Sequence, residues 1–141
     1  MSENKYFNLD ELHALSCNFV VDNYLKKNGF ELAEGFPRKQ YPNIVCRKNG
    51  QLYGIVVIPS IFPNYEILTN EFRINVVQLC KSQNTIALFA PVGFKAKDEK
   101  LASKNLVSKD GDFRIFFPGF IVLNDKETQN LSLKDDEYFR P

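Results

Sequence analysis

The dipeptide Asn49-Gly50, set between two apolar runs, constrains this chain more than any other feature. A two-residue hairpin turn of type I′ needs positive φ at both central positions, and Asn-Gly satisfies that demand at the least steric expense. Pro42-Asn43-Ile44-Val45-Cys46 precedes the turn, and Leu52-Tyr53-Gly54-Ile55-Val56-Val57-Ile58 follows it, running into Pro59-Ser60. The reading is a β-hairpin. In its second strand Leu52, Val56 and Ile58 share one face and Tyr53, Ile55 and Val57 share the other, because side chains alternate along a strand. Neither face is polar, so the strand is expected inside a sheet covered on both sides, with Pro59 closing it.

The other elements follow from periodicity and punctuation. Asn8 and Glu11 have capping-box spacing, with Asn in place of the usual Ser or Thr, and Leu12, Leu15 and Phe19 recur at helical intervals. Asn28-Gly29 is a helix stop, so the first helix is predicted over Leu9 to Lys27. Phe30 to Ala33 alternates as a short strand. Beyond the hairpin a helix is expected at about Glu66 to Ser82, apolar on more than one stripe and so largely enclosed. Thr85 to Ala90 reads as another buried strand, ended by the loop Pro91-Val92-Gly93-Phe94. From Lys95 to Lys109 the chain turns polar, with a short surface helix suggested by Leu101, Ala102 and Leu106. Phe113 to Phe117 and Phe120 to Leu123 are strand-like runs split by Pro118-Gly119. A helix between the hairpin and the strand at Thr85 permits a crossover to a parallel neighbour. The expected class is α/β, a mixed central sheet flanked by helices with a looser αβ end.

Length and composition set bounds on function. At 141 residues, 44% hydrophobic and 25% charged, the chain matches one globular domain, with its core at about 9–123 and a polar tail at 124–141. In that tail Leu131, Leu133, Tyr138 and Phe139 are able to dock on the core. Eighteen basic against seventeen acidic residues give a net charge of +1, too balanced for a surface devoted to nucleic acid. Cys17, Cys46 and Cys80 are odd in number and widely spaced without a CxxC pair, which suits buried thiols in a reducing cytoplasm. The first residues lack the apolar run of a signal peptide, and no apolar segment nears the roughly 20 residues that span a bilayer. A cytoplasmic protein without membrane contact is expected.

The element order, the Pro42-Asn43 pair opening one hairpin strand, and the ending Ile55-Val56-Val57-Ile58-Pro59-Ser60 resemble the PD-(D/E)xK nuclease superfamily, the restriction-endonuclease-like fold. The likeness runs from about Leu9 to Ala90. Members typically carry an Asp after Pro, then a Glu/Asp-x-Lys triplet in the next strand. The carboxylates hold Mg²⁺, which activates water and steadies the phosphate charge. Laid on that pattern, Asn43 stands for the Asp, Val56 for the acid of the triplet and Ile58 for the Lys. Asn43 keeps a neutral oxygen, whereas Val56 offers no ligand and Ile58 no charge. The resemblance therefore implies a non-catalytic nuclease-like domain acting as a binding or interaction module, with no metal and no cofactor. An alternative is a nuclease with displaced catalytic residues, for which Glu11 and Glu71 are the candidates; Asp22 and Glu66 lie on the same two helices, and Lys48 and Lys81 are able to supply a cation.

A further alternative is sequence-unselective nucleic-acid binding, carried by Lys95, Lys97, Lys100 and Lys104, with Phe94 and Phe113 as stacking surfaces. His13 and Cys17 share a helix face at i, i+4 but lack the partners a nucleophile pair or metal clip needs. The chain contains no GxGxxG, GxxxxGK, GxSxG or HExxH. The cluster Phe113, Phe116, Phe117 and Phe120 reads as core, with an edge where a protein partner or a second copy is able to pair.

Overall fold

Asn8 starts the first helix by a reciprocal exchange. Its Oδ1 accepts the Glu11 N–H at 2.8 Å, and its own N–H donates to Glu11 Oε1 at 3.0 Å. From this cap α1 runs Leu9–Val20, widens into a π turn at Val21–Leu25 and tightens into a 3-10 turn at Lys26–Asn28, where Gly29 at φ 80° ends it. Helical backbone thus covers the predicted span, but not at one pitch. The wider turn brings Val20 and Val21 to the sheet together, both buried along with Leu12, Cys17 and Leu25.

The computed structural model describes residues 5–33, 41–62, 67–104, 106–123 and 131–132. After α1 come β1 (Glu31–Leu32), β2 (Ile44–Lys48), β3 (Gln51–Ile61), β4 (Ile67–Leu68), α2 (Asn70–Ser82), β5 (Thr85–Ala96), α3 (Glu99–Ser103), β6 (Phe113–Phe116), β7 (Ile121–Val122) and β8 (Leu131–Ser132). The main sheet has the order β1-β2-β3-β5-β6, with β7 also paired to β5. β2 and β3 form the hairpin, antiparallel from Ile44↔Ile55 to Lys48↔Gln51, and Asn49 and Gly50 turn with φ of 52° and 80° as the I′ reading requires. β3 and β5 pair in parallel from Leu52↔Thr85 to Ile61↔Phe94, with α2 as the crossover. β8 pairs with β4 in a separate two-stranded sheet, with Leu131 opposite Leu68; Leu133, Tyr138 and Phe139 lie outside the described residues.

Two apolar layers cover the sheet. On one face α1 packs over Ile44, Cys46, Ile55, Val57, Leu88, Ala90, Val92 and Phe94. On the other, Val76, Val77 and Cys80 of α2 pack over Val56, Ala87, Phe89 and Ile121. The alternation read from β3 is therefore the division between the layers. Gly54 marks the closest approach on the α2 side. A Cβ there would lie 2.8 Å from Pro42 Cγ, closer than real contacts allow, and 3.1 Å from Cys80 Sγ, tighter than most.

Two expected stops are not stops. β3 continues through Pro59, and β5 continues through Pro91 as far as Ala96. Both prolines fall where no donor is needed. Ile55 C=O and Val57 N–H point towards β2, so Pro59 points the same way, past Ile44, the first β2 residue. Ala87 C=O points towards the β7 side, accepting from Leu123, and Pro91 shares that direction. It sits between the pair Phe89↔Ile121 and the pair Gly93↔Phe116, where the outer neighbour changes from β7 to β6. The helix expected from Glu66 begins at Asn70, because Thr69 is its cap, Oγ1 accepting from Phe72 N–H at 3.3 Å; Glu66 lies outside the described residues.

Candidate functional site

The three positions matched to the nuclease pattern come together at the open end of the hairpin. Val56 and Ile58 of β3 face α2, and Asn43, just before β2, bonds to Ile55 and Val57 of the same strand. Asn43 and Val56 are both 0% exposed, and Ile58 is half-buried against the α2 layer. Above them Tyr41 meets Phe72 of α2 edge-on, with ring centroids 4.6 Å apart.

Local chemistry explains the asparagine. The Asn43 N–H donates to Ile55 C=O at 2.8 Å, and its Oδ1 accepts the Val57 N–H at 2.9 Å. In the register of β2 and β3 a continuing antiparallel ladder would offer Val57 the Pro42 carbonyl, one residue before Asn43, but the chain bends there. The side-chain amide supplies the acceptor in its place. Mg²⁺, which the nuclease pattern implies, does not fit these residues. The Asn43 side-chain oxygen already accepts a backbone N–H, and Val56 and Ile58 bear no side-chain oxygen.

Glu11 and Glu71 stand on helices that cover opposite faces of the sheet. Glu11 holds its cap and an ion pair to Lys109 Nζ at 2.8 Å. The Lys109 ammonium, and then the Asn8 N–H, hold its carboxyl below the ordinary 4.5. Glu71 is exposed in the first turn of α2. Among the described residues no three His, Cys, Asp or Glu side chains gather as a metal would need. His13 does reach Cys17, with Sγ 3.9 Å from Nε2 and 4.0 Å from Nδ1. Burial nevertheless pushes the Cys17 thiol up to about 12, and Cys46 likewise, which opposes the thiolate a nucleophile requires.

Sequence reading passed over Arg73. It is 2% exposed on α2, with Nη2 donating to Asn70 Oδ1. It heads the stripe Val76, Val77 and Cys80 at i+3, i+4 and i+7, which is the signal that could have found it. Burying an arginine is demanding and marks this helix face as more than apolar packing.

The lysine-rich stretch divides. Lys95 and Lys97 line a cleft of about 370 Å³ with Ala96, Glu99, Ala102 and Arg114, whereas Lys100 and Lys104, exposed on and just after α3, do not. Arg114 enters because β6 pairs it with Lys95, nineteen positions earlier, a juxtaposition no local pattern announces. Phe94, considered as a stacking surface, is fully buried, and Phe113 is half-buried against it at 6.1 Å. Phe117 and Phe120 are core, 5.0 Å apart, while Phe116 is 40% exposed on the edge strand β6. No described helix is long and apolar enough to cross a membrane.

No curated protein matches this chain. Among solved structures it is similar to the Holliday junction resolvase Hjc of the archaeal hyperthermophile Archaeoglobus fulgidus. The identity is 16%, the TM-score 0.41, and the match covers 82% of this chain and 84% of that one. The model of the domain of unknown function DUF8840 matches residues 10–123, and the chain belongs to that family.

Proposed function

We propose that this protein is a non-catalytic module of nuclease-like element order that works by binding rather than by cleavage. One observation carries the reading: Asn43 at the motif address accepts the Val57 N–H at 2.9 Å while Val56, the residue before Val57, is 0% exposed. A catalytic carboxylate needs an open side towards metal, water and phosphate. This address is closed by α2 and tied into the hairpin. The half-buried Ile58 likewise offers no cation to a phosphoryl group. A reducing cytoplasm suits such a module, since Cys17, Cys46 and Cys80 are buried and form no disulfide.

The test is incubation of the full chain with single- and double-stranded DNA and RNA in Mg²⁺ or Mn²⁺, followed on denaturing gels. The expected result is intact substrate. Metal-dependent cleavage that disappears in Glu11→Ala or Glu71→Ala would overturn the reading in favour of displaced catalytic residues.

A further inference from the structure

Lys95 and Arg114 are direct cross-strand partners on β5 and β6. Two cations placed opposite each other on neighbouring strands repel. Lys97, two residues beyond Lys95, lines the same cleft and adds a third positive charge. Among the described residues no carboxylate lies within ion-pair distance of any of the three, although Glu99 lines the cleft beside them. The fold builds this cluster from two segments, and the N–H of Lys97 donates to Asp112 C=O at 3.0 Å and so ties the end of β5 to the start of β6. Asp98 caps α3, its Oδ1 accepting from Lys100 N–H at 2.8 Å, which fixes the helix that forms the far wall.

An anion in the cleft would relieve the repulsion, and the setting indicates its kind. The space, about 370 Å³, is large enough for a small molecule. A nucleic-acid strand calls for an extended row of cations, but Lys100 and Lys104 do not continue this one and Glu99 interrupts it. A compact dianion suits three cations lining one cleft better than a long polyanion does. Beside the cations lie aromatic surfaces. Lys95 Nζ sits 4.6 Å from the Phe62 ring centroid, and Phe116 follows Arg114 by two residues, hence on the same face of β6.

We propose that the cleft between β5, β6 and α3 is a binding site for a small phosphomonoester, with Lys95, Lys97 and Arg114 receiving the phosphate and an exposed aromatic ring adjoining it. The site lies apart from the Asn43 hairpin and does not depend on whether that address is silent.

Calorimetric titration of the full chain tests it, with AMP, adenosine and an oligothymidine lacking terminal phosphates as probes. AMP is expected to bind, adenosine not to bind, and the oligothymidine neither to bind comparably nor to displace AMP. Arg114→Glu should weaken AMP about tenfold or more, while Lys100→Glu, an equal change in charge outside the cleft, should alter it less than about twofold. Glu99→Gln should tighten AMP a few-fold, a gain that damage to folding cannot produce. Absence of AMP binding, equal binding of adenosine, or equal loss in Arg114→Glu and Lys100→Glu would overturn the site. Binding of the oligothymidine in preference to AMP would also overturn it, in favour of a nucleic-acid surface.

Discussion

Asn43 Oδ1 accepts the backbone N–H of Val57 at 2.9 Å, across the mouth of the hairpin and out of contact with solvent. This bond makes the first residue of the nuclease-like pattern a structural member of the sheet.

Replacing Asn43 with Ala should therefore destabilise the fold by about 1–3 kcal/mol, the range for stranding a buried donor. Asn43→Asp behaves differently with pH. A carboxyl enclosed here has its folded pKa raised by desolvation, so the native state holds the proton more tightly than the unfolded chain. Its stability is greatest at low pH and falls as pH rises through the unfolded value and on towards the folded one. Urea unfolding of both variants at pH 4 and pH 7 checks this, with Asn43→Asp closer to wild type at pH 4.

Restoring the missing triplet should not restore a nuclease. Val56→Glu with Ile58→Lys puts charges into the cluster of Val56, Val76, Val77 and Phe89 under α2. The expected penalty is on the order of 3 kcal/mol or more, seen as a lower urea midpoint or loss of soluble protein, and no Mg²⁺-dependent cleavage should appear.

The α1 cap makes part of the stability acid-sensitive. Lys109 and the Asn8 N–H lower the Glu11 carboxyl below its ordinary 4.5. A depressed folded pKa means the stabilisation is complete above the unfolded value and disappears as pH falls through the folded one. Melting temperatures should then show Glu11→Gln below wild type at pH 7, with the gap closing as the pH drops below 4.5.

The thiols should be silent in the native chain. Cys17 and Cys46 are pushed up to about 12 by burial, and Cys80 is buried as well. Ellman's reagent at pH 8 should react with all three only in denaturant, and the His13→Ala variant should react no faster or slower than wild type. Rapid native reaction of Cys17 that depends on His13 would contradict this.

Local signals in the chain determined the elements whose cause is local. Asn49-Gly50 sets its own turn through positive φ, Asn8 and Glu11 cap α1 three residues apart, and the alternation in Tyr53 to Ile58 assigns each side chain to a layer. The helix–strand–hairpin–helix–strand order followed from these, as did the absence of ligating groups at Val56 and Ile58. Tertiary structure decided whatever depends on a partner distant in sequence. Pro59 and Pro91 look like strand ends, yet each lies in a strand, because a missing N–H is harmless where no neighbouring strand faces it. The lysine run likewise looks like one basic stretch, but only the pairing of Lys95 with Arg114 shows which charges converge. The hairpin address, open to either chemistry or packing when read along the chain, became core once α2 lay over it and Asn43 turned its oxygen to Val57.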